Sequence, residues 1–164
     1  MTPEMLDWFK MAFPGPQVRA TNWMFATGES FHFIGLCLLF GGLIFVDLRL
    51  MGYFKRMSVK AALSYLPFVI AGFLINLASG WLFFTAAPPA YWDNPAFLWK
   101  MSFIVLAGLN ALWFQIVEHP KVIHLGPGED VPMASKISAG ASLILWLLVL
   151  LLGRWLPVFT IGTN

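Results

Sequence analysis

Charged side chains are scarce in this chain of 164 residues, in which Asp, Glu, Lys and Arg together account for 11%. Soluble domains are about 25% charged. Here 59% of the residues are hydrophobic and the mean hydropathy is +0.76, which excludes a water-soluble globule. Ten Lys and Arg against eight Asp and Glu leave a formal net charge of +2. That balance provides no basic surface for phosphates, so we expect no nucleic-acid partner.

Cysteine is nearly absent as well. The single residue, Cys37, lies within an apolar run, which excludes a disulfide framework and a thiolate metal cluster. The chain also lacks a Gly-rich phosphate loop, a Ser-His-Asp arrangement and a CxxC or CxxCH element. Hydrolase, nucleotide-dependent and c-type haem chemistry therefore have no support from motifs.

Long hydrophobic runs, by contrast, are abundant. Four of them, at about 22–50, 63–84, 97–117 and 137–159, reach the roughly 20 residues needed to cross a bilayer. Each run is nearly continuous, which indicates a helix and not an alternating barrel strand. The segment TPEMLDWFKMA, with Thr2 as cap and Pro3 at the first helical position, predicts a short interfacial helix. We therefore predict an all-α integral membrane four-helix bundle, one domain over residues 1–164, in a lipid bilayer.

The distribution of basic residues predicts the orientation of the bundle. The first connection carries Lys55, Arg56 and Lys60, whereas the second, AAPPAYWDNPA, has no Lys or Arg. Because positive loops stay in the cytoplasm, the first connection is predicted to be cytoplasmic and both termini external. Lys10 and Arg19 near the N-terminus count against this orientation.

Ionisable residues inside membrane spans are costly, and the few present here are candidate functional residues. His32 lies in the outer half of the first span and Lys100 at the same depth in the third. The imidazole could be a metal ligand, a proton carrier or a structural group bonded to Glu29 or to a neighbouring carbonyl. Lys100 could be a ligand, a base or a partner for an anionic propionate. It could also be an anchor whose side chain snorkels to the interface. Asn76 and Trp81 would complete the same layer.

Other polar residues lie toward the inner face. Asp47 and Arg49 are two positions apart on a helix and do not face each other, so each should find a partner on another helix or a lipid headgroup. A headgroup or quinone site is the alternative. His119 and His124 straddle Pro120, a poor spacing for two metal ligands, although a separate inner metal or haem site stays open.

Three segments carry a resemblance to known families, namely FHFIGLCLLFGGLIFVDLRL, LASGWLFF and FLWKMSFIVLAGLN. They resemble a family of small four-span bacterial inner-membrane proteins of unknown function. They are also distantly similar to the HemJ-type protoporphyrinogen oxidases and to CopD-like membrane domains. The resemblance covers roughly residues 31–115 and implies a location in the bacterial inner membrane. With the orientation predicted from the basic residues, the termini are expected in the periplasm.

The resemblance also implies a cofactor. His32 matches the family histidine implicated in haem binding, Arg49 the arginine after the glycine stretch and Lys100 the lysine of the third span. It thus implies a haem b or porphyrin held near His32. The chain has Met51 to Phe54 where HemJ-type proteins carry a further histidine, so Lys100 or a water is expected as the second ligand.

Three functions follow as hypotheses. The first is a haem b or porphyrin protein that works in electron transfer or porphyrin oxidation and passes electrons to quinone. The second is a cofactor-free accessory subunit that binds a membrane-protein partner or a second copy, which the purely apolar stretch LILWLLVLLL would suit. The third and weaker one is a copper or small-solute transporter.

Overall fold

The computed structural model describes residues 2–161, with side chains over residues 2–159, and every regular element in that part of the chain is helical. Four of its helices are long and apolar enough to cross a membrane. They are Asn22–Leu50, Val59–Ala86, Pro95–Val122 and Met133–Phe159. The predicted all-α architecture with four spans is confirmed, and we call the end nearest the N-terminus the outer end.

Two short helices precede the first span. Helix α1 covers Pro3–Met11, and the hydroxyl of Thr2 accepts a hydrogen bond from the backbone N–H of Met5 at 3.4 Å, as the capping pattern predicts. Helix α2 covers Gly15–Ala20. The N-terminal helix is thus present, and a second short helix follows it.

Helices α3 to α5 form the first two spans. Helix α3 covers Asn22–Leu50, and its 29 residues extend about 44 Å, beyond the roughly 30 Å hydrocarbon core. Helix α4 covers Val59–Leu63 and α5 covers Leu66–Ala86. The break between them follows from Pro67, which has no N–H and whose ring would clash with the carbonyl four residues earlier.

The third span contains a change of helix type. After α6, Pro88–Trp92, helix α7 runs over Pro95–Trp113 and continues as a π-helical turn, Phe114–Glu118, into α8, His119–Val122. Pro120 accounts for the wider turn, because a regular α-helix would press its ring against the carbonyl of residue 116.

The last span, α9, covers Met133–Ile161. Helix α3 packs along α5, α7 packs along α9, and α3 also packs against α9. In the described part of the chain, α5 and α7 contact each other little along their lengths. They meet at the outer end, where the rings of Phe84 and Phe97 stack 5.8 Å apart. The bundle is therefore two helix pairs joined through α3 and α9.

The contact between α3 and α5 is closest at two glycines. A Cβ added to Gly72 would lie 2.5 Å from the carbonyl oxygen of Gly35 and from the backbone nitrogen of Leu39. A Cβ added to Gly35 would lie 2.9 Å from the carbonyl oxygen of Gly72. Only glycine at both positions allows the two backbones to approach this closely.

The glycine contact predicts that Gly72→Ala pushes α3 and α5 apart and lowers the free energy of unfolding by about 1–3 kcal/mol. Gly80→Ala, on the same helix with open space around it, is the matched control and should change stability little. Thermal unfolding in mild detergent, followed by circular dichroism, measures both variants. Equal stability of the two would contradict the packing described here.

Candidate functional site

His32 lies where α3 faces α5 near the outer end of the bundle. Its Nδ1 atom is 2.8 Å from the hydroxyl oxygen of Ser79, and its ring centroid is 5.7 Å from that of Phe83. Ser79 is buried, whereas the imidazole is half-buried. The sequence alone suggested Glu29 as its partner, but the described hydrogen bond goes to Ser79 of the neighbouring helix.

The hydrogen bonds of Ser79 determine which imidazole nitrogen carries the proton. The serine hydroxyl has one proton, and its best acceptor is the carbonyl oxygen of Ile75, one helical turn earlier, at 2.7 Å. Because this bond uses the serine proton, we assign the imidazole proton to Nδ1, which then donates to Ser79. No described residue hydrogen-bonds to Nε2, which leaves its lone pair free to bind a metal ion or accept a proton.

Asn76 lies one turn before Ser79 on α5, close to the glycine contact. Its side-chain carbonyl oxygen is buried and has no hydrogen-bond partner among the described residues. The side chain lies beside Gly35, where an added Cβ would be 3.1 Å from the amide carbon of Asn76. A buried amide oxygen of this kind is an acceptor available to a ligand or a water.

Lys100 points across the bundle. A Cβ added to Gly153 of α9 would lie 3.2 Å from its Nζ atom, so the ammonium lies against that helix. No acceptor among the described residues hydrogen-bonds to it. Pro157 has no N–H, so the backbone carbonyl oxygen of Gly153, four residues earlier, lacks its usual helical hydrogen bond. This free acceptor lies near the ammonium of Lys100. We call His32, Asn76, Ser79 and Lys100 the outer cluster.

Trp81 is not part of this face. It follows Ser79 by two residues, which places it on the opposite side of α5. Its indole N–H donates to the carbonyl oxygen of Phe13 at 3.0 Å, and the ring is 42% exposed. The structure therefore uses Trp81 to hold the N-terminal segment against α5.

An aromatic rim closes the outer end above the cluster. Tyr91 of α6 packs its ring 5.5 Å from that of Phe97, which in turn stacks on Phe84. Burial raises the pKa of the Tyr91 phenol above its ordinary value, and the nearby carboxylate of Glu29 adds to the rise. The phenol therefore stays protonated at neutral pH.

The inner half contains a separate polar network along α9. Ser135, Ser138 and Ser142 are all buried and share one face of the helix. Ser135 donates to Glu118 Oε2 at 2.6 Å, and Ser138 donates to Asn110 Oδ1 at 3.0 Å.

The two carboxylates of this network, those of Glu118 and Asp47, are both buried. Glu118 is only 1% exposed and also accepts from Lys121 Nζ at 2.6 Å. Asp47 is buried beside Ser142, and its Oδ2 atom has no partner among the described residues. We call Asp47, Asn110, Glu118 and the three serines the inner network.

Arg49 is fully buried but binds backbone and not an acid. Its Nε atom donates to the carbonyl oxygen of Met57 at 2.6 Å, and Nη2 donates to those of Gly126 and Glu129 at 3.2 and 3.4 Å. Nη1 has no partner among the described residues. Arg49 thus ties the two inner loops, 51–58 and 123–132, to the end of α3, and it lies far along that helix from His32.

The inner loops are also linked by charge. Asp130 pairs with Lys136 at 3.0 Å and with Lys55 at 3.4 Å. The hydrogen bond from Lys136 holds the pKa of the Asp130 carboxyl below its ordinary value. Asp130 therefore remains ionised at neutral pH and neutralises part of the basic charge at this end.

The two remaining histidines lie at the inner end. His119 is half-buried and His124 is exposed. Within residues 2–161, no group of three His, Cys, Asp or Glu side chains is arranged to hold a metal ion. In that part of the chain, His119 and His124 therefore have no third His, Cys, Asp or Glu side chain arranged as a ligand.

Several site residues were missed from the sequence. Ser79 lies within the quoted segment LASGWLFF, and Ser135 falls just outside the predicted fourth span, 137–159. The spacing of Ser135, Ser138 and Ser142 at three and four residues could have revealed the polar face of α9. Arg19, counted against the orientation, donates to the carbonyl oxygens of Lys10, Thr85 and Ala86 and caps the end of α5.

Four apolar spans, with buried polar side chains paired between helices, define a multi-pass helical membrane protein. The chain belongs to a family of unknown function, DUF6644, whose model matches residues 5–159. No curated protein and no solved structure matches it.

The position of Arg49 predicts that Arg49→Met lowers the free energy of unfolding by about 3 kcal/mol, because three backbone carbonyl groups around the buried guanidinium lose a charged donor. Chemical denaturation in detergent, followed by circular dichroism, measures this loss. Limited proteolysis should also cut the loop 123–132 faster. Arg56→Met, which removes an exposed arginine without a described partner, should change stability by less than about 0.5 kcal/mol. Similar losses in the two variants would refute the proposed role of Arg49.

Proposed function

We propose that the outer cluster binds a haem b or related porphyrin through Nε2 of His32 and that the protein works in electron transfer or porphyrin oxidation. The observation that carries this proposal is the hydrogen bond from His32 Nδ1 to Ser79. Histidines that ligate a metal ion almost always donate their other ring N–H to an acceptor, which fixes the orientation of the imidazole. Among the residues of the outer cluster, His32 is the one imidazole that could bind the iron.

The rest of the outer cluster is compatible with an anionic, planar ligand. Lys100 has no described hydrogen-bond partner, and it could bind a propionate as an ammonium group or, after loss of its proton, the metal ion as an amine. Asn76 supplies a buried amide oxygen in the same layer. Helices α5 and α7 pack loosely, so a flat macrocycle could enter there without separating the glycine contact between α3 and α5.

A bound haem would supply one-electron chemistry, with a potential set by its axial ligands and by the polarity around it. The chain's own residues would orient the imidazole, exclude water with the aromatic rim of Phe84, Tyr91 and Phe97, and balance negative charge with Lys100. Quinone is the electron acceptor that we propose, because it shares the bilayer with this site.

The same proposal includes a location. The basic first connection supports a cytoplasmic inner end, so both termini are proposed to lie in the periplasm of a bacterium, with the spans in the inner membrane. Arg19 keeps its positive charge, because its donors bind neutral carbonyl groups, and with Lys10 it still counts against this orientation.

The proposal predicts that the protein, purified after haem-replete expression, shows a Soret band and a reduced-minus-oxidised difference spectrum. Pyridine haemochrome quantification should give about one haem per chain. His32→Ala should lose the band, whereas Ser79→Ala should keep the ligand but bind haem about 10–100-fold more weakly, because the imidazole is no longer oriented. A Soret band that survives intact in His32→Ala would falsify the assignment of the ligand.

His124→Ala is the matched control, since it removes an exposed histidine from the inner end and should leave the spectrum unchanged. A wild-type protein without haem would overturn the proposal. If that protein then migrated within a larger membrane complex, the result would support an accessory subunit. Stoichiometric copper would support a transporter.

A further inference from the structure

A second candidate site lies at the inner end, away from the outer cluster. It is an open pocket of about 580 Å³ where the end of α3, the first loop and the start of α5 meet. Its lining consists of Phe45, Phe54, Lys55, Arg56, Met57 and Tyr65. We call it the loop pocket, and nothing in the proposed electron-transfer role uses it.

Three aromatic rings form one wall of the loop pocket. The ring of Phe45 stacks between those of Phe54, at 6.1 Å, and Tyr65, at 5.7 Å. All three remain between 42% and 51% exposed. Phe54 adopts a φ of +47°, a left-handed backbone conformation that residues other than glycine rarely adopt. The loop therefore holds this ring in the stack against its backbone preference.

The loop around the pocket is fixed by bonds to other parts of the chain. The carbonyl oxygen of Met57 accepts from the buried Arg49 at 2.6 Å. The carbonyl oxygen of Lys55 accepts from the backbone N–H of Gly128 at 2.7 Å. A pocket held on both sides in this way is preorganised, so a ligand would not have to order the loop on binding.

Both charged side chains that line the pocket are positive. Residues 51–66 contain Lys55, Arg56 and Lys60 and no acidic residue. Lys55 shares Asp130 with Lys136, while Arg56 is exposed and has no ion pair or hydrogen bond with any described residue. An arginine without a partner offers a planar set of donors that matches the oxygen atoms of a phosphate group.

The order of these groups along the membrane normal matches that of a lipid. Phe45 precedes the end of α3 by five residues, or about 7 Å of helix, so its ring lies on the hydrocarbon side of the loop. The cations lie beyond the helix end, at the level of headgroups. We propose that the loop pocket binds one anionic phospholipid from the leaflet at this end, with its phosphate on Arg56 and Lys55 and its glycerol and upper acyl region on the aromatic wall.

Native mass spectrometry of the full-length protein in mild detergent, titrated with dioleoylphosphatidylglycerol or dioleoylphosphatidylcholine, tests this proposal. The anionic lipid should bind at least fivefold more tightly than the zwitterionic one. Lys55→Gln and Arg56→Gln should each weaken its binding about fivefold, the equivalent of about 1 kcal/mol per interfacial cation. Both side chains are exposed, so neither change should unfold the protein.

Lys60→Gln is the matched control, because it removes the same charge from the same side of the bundle but from outside the pocket lining. It should weaken phosphatidylglycerol binding less than twofold. Equal binding of the two lipids, or an effect of Lys60→Gln as large as that of Arg56→Gln, would overturn the proposal in favour of diffuse surface charge. Displacement of the lipid by a tenfold excess of inorganic phosphate would instead indicate a site for free anions. The outcome does not depend on whether haem binds at His32.

Discussion

Lipid offers no hydrogen-bond partners, and this constraint organises the polar side chains of the whole bundle. The three serines of α9 each face a polar side chain of another helix, which would otherwise be exposed to hydrocarbon. Two arginines donate hydrogen bonds to backbone carbonyl groups near the two ends of the α3–α5 pair. They are Arg19 at the outer end and Arg49 at the inner end. Polar residues that lack such partners among the described residues are few, and they mark the places where a ligand or water can bind.

The outer cluster depends on the close approach of α3 and α5. Gly35 lies one turn below His32 and Gly72 two turns below Ser79, and their contact brings the two backbones together, which sets the 2.8 Å distance between imidazole and hydroxyl. A wider separation would break this hydrogen bond and leave either ring nitrogen free to carry the proton. The orientation of the only histidine in the first span therefore follows from backbone packing, and the chemistry proposed for it rests on the same contact.

Most of the fold could be predicted from the sequence because hydrophobic runs of this length have one stable solution in a bilayer. The first span was predicted over the same residues, 22–50, that α3 occupies. The partners of His32 and Arg49 could not be predicted, because they lie 47 and up to 80 residues away in the chain and depend on how the helices rotate about their axes. In the sequence, Ser79 and the serines of α9 resemble small packing residues. The side of α5 on which Trp81 lies depends in the same way on the rotation of that helix about its axis.

The π turn at the inner end of the third span has a consequence for the register of its side chains. Asn110 and Glu118 are eight residues apart, which exceeds two α-helical turns by nearly one residue. In an uninterrupted α-helix the carboxylate would be rotated away from the amide. The wider turn takes up that extra residue, so both side chains reach the serines on the same stripe of α9. Pro120, through the wider turn that it causes, therefore keeps the carboxylate of Glu118 on the side of the helix that faces α9.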